Sequence, residues 1–134
     1  MEFLIGAVVA LSVGLSATFS GLDRDRAFYP TVMIVIATYY ALFAVMGGSP
    51  QALGLESMVI VAFLVASIAG FRRTLWLVVA ALAAHGVFDF FHGQLIPNPG
   101  VPAWWPQFCL AYDVVAAAYL ATLLSRSKVR AAAT

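Results

Sequence analysis

The stretch LWLVVAALAAHGVFDFF, Leu75 to Phe91, decides the fold. Its first ten residues are apolar enough for a membrane interior, yet His85 and Asp89 follow within the same run. A segment built to sit in lipid would carry such groups only for a reason. The rest of the chain shows that it sits in lipid. Of 134 residues, 63% are hydrophobic and 10% are charged, against about 25% charged in an average soluble domain. This is the composition of an integral membrane protein.

Working outward, apolar runs near the length of about 20 residues needed to span a bilayer cover Phe3–Ser20, Phe28–Met46, Leu55–Phe71, Leu75–Phe91 and Trp104–Leu124. Backbone polar groups in hydrocarbon must be satisfied within the segment, so each run is expected to be a helix. The expected architecture is all-α: one transmembrane domain over residues 1–134, a polytopic bundle of five spans. The first run has Glu2 and no basic residue ahead of it, so it reads as a mature span rather than a secretory signal.

The basic residues orient the bundle. Arg24 and Arg26 lie between the first two runs, Arg72 and Arg73 between the third and fourth, and Arg126, Lys128 and Arg130 in the tail. Five spans put all seven on one side, which the positive-inside rule makes cytoplasmic. The N-terminus is then outside and the C-terminus inside, in a bacterial inner (cytoplasmic) membrane by expectation. Asp23 and Asp25 alternate with Arg24 and Arg26 and read as a solvated, salt-bridged turn. Gly6, Ala10, Gly14 and Thr18 form a small-residue stripe suited to close helix packing, within the chain or as a seam for a homo-oligomer. Trp104 and Trp105 suit an outer aromatic belt. The lone Cys109 excludes an intrachain disulfide. With near-neutral net charge and no basic tract, nucleic acid is not an expected partner; the lipid bilayer is, with a lipid-like or small-molecule ligand.

The remaining acidic residues carry the functional signal. On this topology Glu2, Glu56, Asp89 and Asp113 lie within the membrane or near the outer face, beyond reach of any lysine or arginine. A bare carboxylate there is costly, so Asp89 and Asp113 require a proton, neutral donors, a histidinium or a cation. His85, Asp89 and His92 stand at i, i+4 and i+7, which places them within about 60° of one another on a helix. The helical rise brings Asp113 of the adjacent span to the same depth, and Tyr39, Tyr40 and Tyr112 near the midplane.

Two imidazoles and two carboxylates suit a divalent transition metal, zinc first, with His85, Asp89, His92 and Asp113 as ligands. With an open coordination position such a metal activates water, and Asp113 or Glu56 is placed to serve as general base in hydrolysis of a lipid-like amide or ester. The arrangement is similar in outline to intramembrane zinc hydrolases of the alkaline ceramidase type, which use histidines and an aspartate in a helical bundle. Those proteins have seven spans and a third histidine ligand, whereas this chain has two histidines in all, and no residue is carried over. Two other functions fit the same stripe. One is a proton-coupled carrier or cation pathway, since Asp and His alternate along one face. The other is binding of an apolar cofactor such as haem or quinone between the aromatics, with covalent c-type haem excluded by the missing Cys-x-x-Cys-His. Interhelical hydrogen bonding alone contributes only about 0.6 kcal/mol per bond, little against the roughly 2.5–3.5 kcal/mol that an aspartate costs at a span centre. That imbalance favours function.

Overall fold

The computed structural model describes residues 1–131. Five α-helices follow in order: α1 Glu2–Ser20, α2 Phe28–Met46, α3 Pro50–Arg72, α4 Trp76–Leu95 and α5 Trp105–Ser125, with a short 3₁₀ turn at Leu22–Arg24. All five are long and apolar enough to cross a membrane. Each break has a local cause. Gly21, in the left-handed conformation at φ 79°, ends α1 and returns its N–H to the carbonyls of Ala17 and Thr18. Ser49 caps α3 by accepting from the Ala52 N–H, and Pro50 follows at the first helical position.

That cap moves the start of the third helix five residues ahead of the expected Leu55. Glu56 therefore sits in the second turn, pointing into protein, and is 1% exposed. The fourth helix runs on past Phe91 to Leu95, so His92 is helical as well.

Helix α4 is the hub. It packs on α5, α3 and α2, while α1 packs on α5 and α2 on α3. The small residues of α1 explain its close approach. A Cβ at Gly6 would overlap the Phe108 carbonyl oxygen, Gly14 lies against the Tyr119 ring, and Ala10 is 3% exposed. The stripe read from the sequence thus faces α5 within this chain.

The basic segments meet at one end of the bundle. Arg26 donates to the carbonyls of Phe71 at 2.7 Å and Gly70 at 3.3 Å, and to Arg130 at 2.5 Å, joining the α1–α2 turn, the end of α3 and the tail. The Leu75 N–H donates to the Ala131 carbonyl at 2.8 Å. The expected salt-bridged turn is built differently. Asp23 is buried and accepts from Thr18 Oγ1 at 2.5 Å, and Asp25 accepts from the Ala27 N–H at 3.1 Å. Among the described residues neither aspartate forms an ion pair. At this end the core is apolar, built from Tyr29, Met33, Leu75, Val78, Leu82 and Leu120 among others. Apart from Asp23 and Ser67, the buried polar groups lie in the middle and the opposite half.

Candidate metal centre

Helix α4 supplies the frame. His85, Asp89 and His92 are all buried, at 1%, 0% and 2% exposure, and lie on the face that meets α5, α2 and α3. His85 is nine residues from the start of α4 at Trp76, about 14 Å along the helix, so it lies close to the middle of the span. Gly86 lets α5 come near at that level. A Cβ there would stand 3.2 Å from Asp113 Cβ and 3.3 Å from the Leu110 carbonyl oxygen, so Asp113 can approach His85.

The result is a compact group. His85 Nδ1 lies 2.7 Å from Asp113 Oδ2 and 3.2 Å from Asp89 Oδ2. One ligand atom from each of His85, Asp89 and Asp113 can be chosen so that all lie within 4.8 Å of one another. Atoms bound to one zinc ion at about 2.1 Å and tetrahedral angles stand about 3.4 Å apart. The 3.2 Å separation already suits a shared cation, whereas 2.7 Å is a hydrogen-bond length that would widen to admit one. A buried His/Asp group that could hold a metal ion is therefore present.

The surroundings leave carboxylate valence unfilled. Tyr40, 1% exposed on α2, donates its hydroxyl to Asp89 Oδ1 at 2.6 Å. Asp113 Oδ1 and Asp89 Oδ2 are buried without a hydrogen-bond partner. Phe63 packs edge-on against the His85 ring at 4.8 Å, and Phe88 lies 6.2 Å from it. No lysine or arginine side chain bonds to the group among the described residues.

His92 and Glu56 form a second unit rather than joining the first. His92 Nε2 lies 2.7 Å from Glu56 Oε1, which also accepts from Asn98 Nδ2 at 2.9 Å. Asn98 donates to the Tyr40 carbonyl at 3.1 Å as well, so this loop residue ties the α4–α5 connection onto α2 and α3. Gly100 permits the close seat, because a Cβ there would overlap the Phe43 carbonyl. The Tyr40 ring stacks on His92 at 4.1 Å and 24°. Tyr40 therefore bridges the two units, with its ring on His92 and its hydroxyl on Asp89.

Of the residues picked from the sequence, His85, Asp89 and Asp113 come together, while His92 and Glu56 pair one layer away. Tyr40 enters the centre, whereas Tyr39 is 38% exposed. Asn98 was not among the residues picked; an amide between prolines in the stretch IPNPG was its only signal.

The chain matches no family model, no curated protein and no solved structure.

Proposed function

We propose that this chain is an intramembrane metalloprotein in which His85, Asp89 and Asp113 hold one divalent cation, zinc by preference, and that it hydrolyses a lipid-like amide or ester. One observation carries the proposal: ligand atoms of a histidine and two carboxylates lie within 4.8 Å of each other, fully buried, with no lysine or arginine bonded to them among the described residues. One imidazole, two carboxylates and a divalent cation sum to zero charge. Without a cation the group is neutral only if the carboxyls take up protons, since a histidinium between two ionised carboxylates leaves a net negative charge in a medium that penalises it.

Three protein ligands leave a coordination position for water or substrate, the pattern of catalytic rather than structural zinc sites. A bound cation there would lower the pKa of water and polarise a carbonyl. Asp113 is the residue best placed to act as base: its Oδ2, beside His85 Nδ1, would hold the cation, while Oδ1 has no hydrogen-bond partner and can take the proton. The water oxygen bonds to the carbonyl carbon, the C–N or C–O bond breaks, and the proton passes to the leaving group. Glu56 is committed to His92 and Asn98, so its part is to hold the loop end of the site. Tyr40 orients Asp89 in the manner of an outer-shell partner.

A second reading rests on a different feature. The polar groups run in file from Asp113 and His85 through Asp89 and Tyr40 to His92, Glu56 and the loop residue Asn98, an arrangement a proton-coupled carrier could use. Purified protein loaded with zinc should release fatty acid from lipid amides or esters, and Asp113→Asn should abolish it. Proton or cation flux into liposomes without any such turnover would move the assignment to the carrier. The N-out, C-in orientation is proposed from the basic residues. In a Cys109→Ser background, an impermeant maleimide applied from outside should label Ser49→Cys and spare Ser127→Cys; the reverse labelling would overturn it.

A further inference from the structure

The end of the bundle that carries Arg26 holds a charge imbalance of its own. All seven lysines and arginines of the chain lie in the three segments that meet there, against two carboxylates, Asp23 and Asp25, a surplus of five positive side-chain charges. Asp23 is buried on Thr18, and none of the seven cations is in an ion pair among the described residues. The helix ends do not balance the surplus. Helices α1, α3 and α5 finish at this end and α2 and α4 begin there. At about half an elementary charge per terminus, three negative ends and two positive ones leave only about half a negative charge.

Arg26 organises the cluster. A guanidinium has five N–H donors, and Arg26 makes three hydrogen bonds, to the carbonyls of Gly70, Phe71 and Arg130. At least two of its donors are therefore left without a protein partner among the described residues. The same bonds gather like charge: Arg72 and Arg73 follow directly on two of the acceptors, and Arg130 is the third. All three of these arginines are exposed.

The level of the cluster in the membrane selects the anion. Phe71 and Trp76, which flank Arg72 and Arg73, are exposed, and so is Leu22 in the turn before Arg26. Apolar and aromatic side chains that face outward at the end of a span sit at headgroup level, tryptophan above all. The arginines among them then lie within the headgroup layer, where a guanidinium meets phosphate oxygens through parallel N–H bonds.

We propose that Arg26, Arg72, Arg73 and Arg130 form a site for the phosphate of an anionic phospholipid, with the open donors of Arg26 at its base. The bound lipid offsets the repulsion among the four arginines and holds the tail on the end of α3. The site uses no residue of the metal centre and requires neither the cation nor the hydrolytic reaction.

The test is lipid retention by native mass spectrometry of the full chain, delipidated in a neutral detergent. Phosphatidylglycerol and phosphatidylcholine with identical chains share the phosphate, but choline cancels its charge. Wild type is expected to prefer the glycerol lipid by about tenfold or more. Arg72→Ala/Arg73→Ala, which alters only exposed side chains, should lose most of that preference while melting like wild type, and Glu2→Gln at the other end should keep it. Equal retention of the two lipids by wild type would overturn the proposal and leave this end to an acidic protein segment. An unchanged preference in the double variant would overturn it as well, and so would displacement of the glycerol lipid by inorganic phosphate at equal concentration. Should the double variant fail to fold, wild type at high ionic strength decides: the preference must collapse as salt screens it, and a salt-independent preference overturns the site. A protein that binds no zinc yet keeps the preference would sink the metal centre and leave this site standing.

Discussion

Replacing Tyr40 by phenylalanine removes one oxygen from the centre of the bundle and little else. The ring that stacks on His92 at 4.1 Å remains, and so does the volume at a position 1% exposed. What goes is the 2.6 Å hydrogen bond to Asp89 Oδ1. A bond to a charged acceptor contributes about 1.5–3 kcal/mol, and about 1.4 kcal/mol is a factor of ten in affinity. If Asp89 is a metal ligand, Tyr40→Phe loosens its orientation and exposes its charge, and zinc should bind about 10- to 100-fold more weakly, the range found for outer-shell partners. The assay is competition for Zn²⁺ with a chromogenic chelator in detergent, beside thermal melting of the metal-free protein. A variant that binds zinc as tightly as wild type but melts earlier would refute the reasoning, because Tyr40 would then be bracing a structural carboxylate.

Other consequences follow from the packing. Gly6→Ala drives a Cβ into the Phe108 backbone and should destabilise the bundle by about 1–3 kcal/mol, the range for overpacking; Gly14→Ala meets only the Tyr119 ring, which can turn, and should cost less. Melting curves of the two variants should separate in that order. Arg26→Ala removes the bond to the Arg130 carbonyl and the two to Gly70 and Phe71 that tie the tail to the end of α3, so trypsin should cut after Arg126 and Lys128 at least tenfold faster. Asn98→Ala loses the bonds to Glu56 and the Tyr40 carbonyl, worth together about 2 kcal/mol or more. Hydrogen exchange over residues 96–104 should then rise at least tenfold while the α4 core stays protected.

The third helix shows both what local reading carries and where it stops. Its apolar body was plain in the hydropathy, because hydrocarbon admits little else. Its start was misplaced at Leu55 because GGSPQALG looks like a loop, although Ser49-Pro50 is itself a helix-start signal. The shift matters, since it turns Glu56 from an edge residue into a buried partner of His92. The α4 stripe was legible for the same reason as the spans: i, i+4 and i+7 share a face whatever surrounds them. How that stripe divides between neighbours was not legible. A face about 60° wide meets three helices at once, and only the packing sends His85 and Asp89 to Asp113 while His92 goes to Glu56. Tyr40 and Tyr39 are adjacent in sequence, and nothing local says which one turns inward. The turn at Asp23 failed for a related reason: charges that alternate along a chain pair readily in solvent, but the bundle end offered Arg26 three carbonyls and Asp23 a threonine.

The central claim is that the buried carboxylates of α4 and α5 answer to a cation. Elemental analysis of protein purified in detergent tests it directly, with wild type, His85→Ala and Asp113→Asn loaded with zinc and desalted side by side. One equivalent of metal per chain is expected in wild type, falling at least tenfold in both variants. Substoichiometric metal in wild type, equal to that in His85→Ala, would contradict it.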